Sequence, residues 1–269
     1  MSRPAIVMAY ASDPGLQRSH NEDAVYVDAG YGLAILADGM GGYKAGEVAS
    51  SMTTHLLASN LLARLDRAAG QNLSSCDPVR ILDEEIQAAN LAVFNTAHRQ
   101  PQYEGMGTTL VLAWLLDNQL HVAHVGDSRL YRWRNQKLQQ LTRDHSILQE
   151  QIDRGMMTVA EARRSEHRNL VTRALGIEAR LDVEIHTHDI RSGDMLLLCS
   201  DGLSDMLDDR QIGRLILHGE GDWSALPAAL VAAANAAGGR DNISVVVVRV
   251  DGDFALRRGW WQALQAFLK

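Results

Sequence analysis

The chain has 269 residues, 46% hydrophobic and 22% charged, with 33 acidic against 26 basic side chains and a formal net charge of −7. That length suits one large domain or two small ones with a sizeable core, and the composition is that of a soluble globular protein rather than a low-complexity chain. The acidic balance argues against nucleic acid as a partner, and two cysteines without a CxxC spacing exclude a disulfide framework.

In chain order, short apolar segments bounded by Gly, Asp and Pro predict strands at 5–10, 24–28 and 32–37. Across 45–65, Val48, Met52, His55, Leu56, Ser59 and Leu62 recur every three or four residues, the spacing of a long helix with one largely apolar face. Asp77-Pro78 reads as a helix start, with Asp as cap and Pro in the first turn. That helix runs to about residue 97, with Ile81, Leu82, Ile86, Ala89 and Val93 on one stripe. Strands follow at 108–116, 120–125 and 130–133, linked by Asp117-Asn118 and Gly126-Asp127, and links this short predict antiparallel hairpins.

Residues 143–180 are dense in Arg, His and Glu and hold Gly155-Met156-Met157-Thr158 between two short helical patterns, the composition of a solvated helical excursion. Strands at 182–189, 195–200 and 243–250 follow, with helical patterns at 208–217 and 225–237 between the last two. Strand groups with helix pairs inserted between them predict an α+β fold. Over 254–269, Trp260, Leu264, Phe267 and Leu268 form a stripe at helical spacing. This is an amphipathic helix expected to dock on the domain, with a membrane-surface or partner-binding helix as the alternative. No apolar run approaches the length that spans a bilayer, and residues 1–8 lack an apolar stretch with a cleavage site. No transmembrane segment and a cytoplasmic location are therefore expected.

Four aspartates sit where an apolar run meets a tight turn: Asp38 before Gly39-Met40-Gly41-Gly42, Asp127 in Val125-Gly126-Asp127-Ser128-Arg129, Asp201 in Ser200-Asp201-Gly202, and Asp241 in Gly239-Arg240-Asp241-Asn242. Any one Asp-Gly is a turn signal. Four together, with Asn21-Glu22-Asp23, predict carboxylates carried to one rim of a sheet. Clustered carboxylates repel unless a cation lies among them. Oxygen ligands without patterned His or Cys suit Mg²⁺ or Mn²⁺ rather than Zn²⁺.

Arg18-Ser19-His20-Asn21-Glu22-Asp23, Asp38-Gly39-Met40-Gly41-Gly42, Gly107-Thr108-Thr109, Gly126-Asp127-Ser128-Arg129, Ser200-Asp201-Gly202 and Gly239-Arg240-Asp241-Asn242 occur in this order from residue 18 to residue 242. The series resembles the motifs of the PP2C-type, or PPM, metal-dependent protein Ser/Thr phosphatases, with the bacterial branch the nearest match. The resemblance implies an α-β-β-α sandwich of two packed antiparallel sheets flanked by helices on both outer faces. It also implies a phosphatase domain over 1–253, with a small helical flap at about 143–180. Its chemistry is hydrolysis of phosphoserine or phosphothreonine by a metal-activated water at a binuclear Mn/Mg centre. Asp38 would bridge the two ions, with the Gly39 carbonyl as a further ligand. Asp201 and Asp241 would complete one shell, and Glu22 would reach the other ion through water. Asp127 and Asp201 would share a third, weaker ion. Arg18 would clamp the phosphate, with Asp23 and Asn242 supporting the ligands from behind. The implied partners are phosphorylated proteins, a bacterial Ser/Thr kinase or its target, met by a monomer.

Animal members carry a histidine, proposed as general acid, where this chain has Met40. The proton donor here is therefore either His20 or a metal-coordinated water. Two competing functions are open to such a chain. A catalytically weak phosphoprotein-binding module would lack one of Asp38, Asp201 and Asp241, and all three are present. A metal-dependent nuclease or nucleotide hydrolase would carry a basic groove, against the acidic balance.

Overall fold

Both faces of the inner strands are covered, which is why their sequences run continuously apolar instead of alternating with polar residues. A computed structural model describes residues 5–42, 44–69, 77–162, 165, 170–219 and 222–254. Its elements are β1 (Ile6–Asp13), β2 (Asp23–Asp28), β3 (Leu33–Met40), α1 (Ala45–Ala69), α2 (Pro78–Arg99), β4 (Gly107–Thr108), β5 (Leu110–Leu116), β6 (Gln119–Val125), β7 (Arg129–Arg134) and β8 (Lys137–Gln140). Then come α3 (Ile147–Asp153), α4 (Val159–Ala162), β9 (Glu184–Asp189), β10 (Met195–Cys199), α5 (Asp201–Ser204), α6 (Asp209–His218), α7 (Leu226–Ala236) and β11 (Ile243–Val250).

The strands form two antiparallel sheets, ordered β1-β11-β10-β7-β8 and β2-β3-β5-β6-β9, with β4 paired to β3. The period-2 geometry of a strand sorts its side chains into two layers. Ala34 and Leu36 of β3, Val111 and Ala113 of β5, Leu196 and Leu198 of β10, and Val246 and Val248 of β11 meet between the sheets. The alternate residues face outward: Leu33, Leu112 and Trp114 pack on α1 and α2, while Leu197, Val245 and Val247 pack on α6 and α7. Burying a Leu or Ile side chain in such a layer contributes roughly 1.5–3 kcal/mol. Helices therefore cover both outer faces, as the α+β reading expects. No described helix is long and apolar enough to cross a membrane.

The Asp77 cap forms, accepting from the Val79 and Arg80 N–H groups. The β5–β6 hairpin turns through Asp117 and Asn118, both at positive φ. The expected hairpin at Gly126-Asp127 does not form. β6 pairs with β5 and β9, whereas β7 pairs with β10 and β8, so this link crosses from one sheet to the other. The strand expected at 108–116 is broken at Thr109. Strand β8 is an edge strand without an assignment from sequence, and Asp201 opens α5 instead of ending β10. The two short helical patterns expected within 143–180 are α3 and α4. The helix expected over 254–269 lies, beyond residue 254, outside the described residues.

Candidate active site

Asp38 lies near the C-terminal end of β3, in register with Asp23 of β2. Its main chain is gripped by the two threonines at the break between β4 and β5. The Asp38 N–H donates to Thr109 Oγ1 at 3.0 Å, and its carbonyl accepts from the Thr109 N–H and from Thr108 Oγ1, both at 2.8 Å. Thr109 Oγ1 also lies 2.7 Å from Ser128 Oγ, which ties this strand to the link carrying Asp127. At the next residue the Gly39 N–H donates to the Glu22 carbonyl at 3.1 Å. A Cβ on Gly39 would stand 2.1 Å from the Gly46 carbonyl oxygen, and one on Gly46 would stand 2.9 Å from Glu22 Cδ. The end of β3, the first turn of α1 and the Glu22 loop thus meet where glycine alone fits.

Residues 14–22 are irregular, and Asn242 organises them. Its Nδ2 donates to the carbonyls of Pro14 at 3.0 Å and His20 at 2.8 Å, and its Oδ1 accepts from the Glu22 N–H at 2.8 Å. The carboxylate contact expected of Asn242 comes from its main chain, whose N–H donates to Asp241 Oδ1 at 2.8 Å. Arg18 Nη2 donates to Asp241 Oδ2 at 2.7 Å. His20 is exposed, with Nδ1 2.7 Å from Ser19 Oγ, and is not among the side chains lining the cavity. Asp23 does not line the cavity either; its Oδ2 accepts from Ser200 Oγ at 2.9 Å.

The cavity has a volume of about 210 Å³. Glu22, Asp38, Asp127, Asp201 and Asp241 line it, Met40 and Val171 add apolar wall, and Arg18 is the one cationic side chain among the described lining residues. Burial is the main reason that Asp38, Asp127 and Asp201 resist ionisation, and repulsion from neighbouring carboxylates adds to it. Asp38 and Asp201 are held well above the ordinary value, and Asp127 is pushed up to about 7. Burial raises Asp23 to about 6 against hydrogen bonds from Ser244 and Ser200. Burial also raises Glu22, with Arg18 opposing.

Oδ1 of Asp201, a cavity-lining residue, is buried without a hydrogen-bond partner. Leaving such an oxygen unpaired is costly, and a divalent cation among the carboxylates removes the cost. The described lining side chains include no Cys or His, so the donor set fits Mg²⁺ or Mn²⁺.

Two residues that sequence reading did not single out support the rim from behind. Arg129 donates to Asp144 through Nε at 3.0 Å to both oxygens and through Nη2 at 2.6 Å, and the adjacent His145 is buried against Gly126. Asp144-His145 precedes Ser146, whose Oγ caps α3 by accepting from the Gln149 N–H. That cap was the available sign that a helix starts after this pair.

A two-sheet sandwich with a carboxylate-walled cavity at its rim defines a known class. The family model for protein phosphatase 2C matches residues 17–243, and the chain belongs to that family. It is 40% identical over 253 residues to the serine/threonine protein phosphatase PstP of Mycobacterium tuberculosis, covering 93% of this chain and 46% of PstP. The chain thus spans under half of that relative's length. It is 35% identical over 245 residues to the serine/threonine phosphatase stp of Listeria monocytogenes, covering 90% of this chain and 95% of the other. The solved structure of the PstP catalytic domain in complex with two manganese ions superposes with a TM-score of 0.80 at 36% identity, over 92% of this chain and 99% of that one.

Proposed function

We propose that the chain dephosphorylates phosphoserine and phosphothreonine in proteins at a binuclear Mn²⁺ or Mg²⁺ centre, opposing a bacterial Ser/Thr kinase. The observation that carries this reading is the convergence of five carboxylates from separate elements on one cavity, with Arg18 at its mouth. Asp38, the Gly39 carbonyl, Asp201 and Asp241 would hold the ions, with Glu22 acting through water, and Asp127 with Asp201 would hold a third. Cations bound there supply charge neutralisation at the phosphoryl oxygens and a nucleophile available near neutral pH.

The chain's own groups do the rest. Arg18 offers its guanidinium fork to phosphate oxygens, and its bond to Asp241 aims that fork at the cavity. Thr108 and Thr109 keep the Asp38 main chain from shifting. Met40 has no proton to give, and no histidine lines the cavity among the described residues, so the leaving oxygen takes its proton from water. Residues 1–253 act as one phosphatase domain, with a flap at about 143–180, in a cytoplasmic monomer.

The test is hydrolysis of p-nitrophenyl phosphate and of a phosphothreonine peptide with Mn²⁺, with excess EDTA, and after Mn²⁺ is restored. Activity that follows the metal in all three conditions is expected. Full turnover in EDTA would overturn the reading.

A further inference from the structure

Behind the Asp127 link lies a second group of potential metal ligands. One ligand atom each of His124, His145 and Glu184 lies within 4.8 Å of the others. Both histidines are buried, and their rings stack at 4.6 Å between centroids. The hydrogen bonds decide what this group is. The Gly126 N–H donates to His145 Nδ1 at 3.1 Å, so Nδ1 carries the lone pair. In a neutral imidazole the proton then sits on Nε2. That nitrogen lies 3.1 Å from Glu184 Oε1, an electrostatic contact outside hydrogen-bond geometry. Burial holds the His145 pKa below the ordinary imidazole value, against the pull of Glu184, so the neutral ring is the stable one. A cation at Nε2 would need the lone pair there, and the proton would then move to Nδ1 and confront the Gly126 N–H. The Gly126 bond therefore commits His145 to the link and not to a metal, while its Nε2 faces Glu184 at ion-pair distance.

His145 acts on one residue from both sides. While Gly126 donates to the His145 ring, the His145 main-chain N–H donates to the Gly126 carbonyl at 2.8 Å. Gly126 has φ +100°, and a Cβ there would stand 2.7 Å from Thr109 Cγ2, so the link has no ladder to hold it and no room to move toward Thr109. The His145 carbonyl accepts from the Thr172 N–H at 2.8 Å, which joins the same residue to the returning leg of the flap. Val171, next to Thr172, lines the cavity.

We propose that His145 is a positioning residue. Its Nε2–H tautomer, set by the Gly126 N–H at Nδ1, locks the Gly126-Asp127 link and with it the Asp127 carboxylate and the flap's return leg. The proposal rests on the phosphatase reading only where it concerns catalysis. Its principal tests read the link itself, so the two can fail separately.

In uniformly ¹⁵N-labelled protein, the His145 ring should show Nε2 protonated and Nδ1 bare near neutral pH, unchanged on adding Zn²⁺. A protonated Nδ1, or a Zn²⁺-induced shift at Nε2, would overturn the proposal. Among variants, His145→Asn keeps an acceptor near the Nδ1 position, whereas His145→Gln keeps a donor near Nε2. Loss of the Gly126 bond in His145→Gln should speed exchange of the Gly126 amide by about tenfold. His145→Asn should retain protection close to that of the parent. In the Mn²⁺ assay, His145→Gln should raise the Mn²⁺ concentration for half-maximal activity more than His145→Asn does. Equal Gly126 exchange in both variants would overturn the proposal whether or not the parent hydrolyses phosphate.

Discussion

Asp38 and Glu22 line the same cavity and are held by unlike means. Asp38 belongs to a strand with β2 on one side and β5 on the other, and its N–H and carbonyl are both engaged by Thr108 and Thr109. Glu22 ends an irregular loop whose main-chain groups at Pro14, His20 and Glu22 all depend on the Asn242 side chain. A strand end places a charge through many small bonds, so no single substitution releases it. The loop has three of its main-chain groups on one amide, with the Glu22 carbonyl held in addition by Gly39 N–H and Ser50 Oγ, so a single substitution loosens it. A rigid wall therefore faces an adjustable one, and Arg18, proposed to bind phosphate, is on the adjustable side.

The largest effect expected is at the rigid wall. Asp38→Asn should cost well over the roughly 10–100-fold that loss of a supporting contact brings, because a ligand itself is changed. The melting temperature of the metal-free protein should not fall, since one of several mutually repelling carboxylates is gone. Near-normal kcat at saturating Mn²⁺ would remove Asp38 from the ligand set. Asn242→Ala comes next. It strips partners from three main-chain groups and should destabilise by about 2 kcal/mol. KM should rise more than kcat falls, because the Arg18 loop loosens while the Asp38 strand stays in place. A drop confined to kcat would mean that the two walls are not independent. Thr109→Val should cost about 1 kcal/mol by removing the bonds to Asp38 and Ser128. It should lower kcat a few-fold and spare KM, the reverse of Asn242→Ala.

The smallest effect concerns pH and acts on both walls. Asp23 and Asp127 have folded-state values of about 6 and about 7 against an ordinary 3.8, so the metal-free fold binds protons that the unfolded chain has released. Its carboxyls therefore oppose folding increasingly as pH rises through that window. The rise in melting temperature on adding Mn²⁺ should grow between about pH 5 and about pH 7.5, as cations replace those protons. A shift independent of pH would count against carboxylate ligands.

Much of the carboxylate rim was legible because each aspartate follows or precedes an apolar run, and a buried strand must end where its chain turns polar. The Asp77 cap and the Asp117-Asn118 turn were legible for local reasons, since each rests on residues within one turn. The Gly126-Asp127 crossing was not. A two-residue link looks the same whether the next strand pairs with its predecessor or joins another sheet, and the strand partners are set by distant residues. Edge strand β8 was hidden because Leu138 is its one apolar residue and its turn, Asn135-Gln136, takes positive φ without a glycine. The contact of Asn242 with a carboxylate is made by its main chain, and what its side chain does was not legible. Its actual partners at Pro14, His20 and Glu22 lie more than 200 positions away.

The position of β11 has a consequence for synthesis. It lies between β1 and β10, and β1 has no other neighbour in its sheet, with Ile6 opposite Val250. On the ribosome, the first strand made must therefore wait for the last one in the sheet before it acquires a partner. Pairings this far apart in sequence close on the order of milliseconds to seconds, and until then two apolar strands present open edges to other nascent chains. A message truncated before residue 243 would release a chain with those edges permanently unpaired, material for proteolysis or aggregation instead of a smaller folded domain.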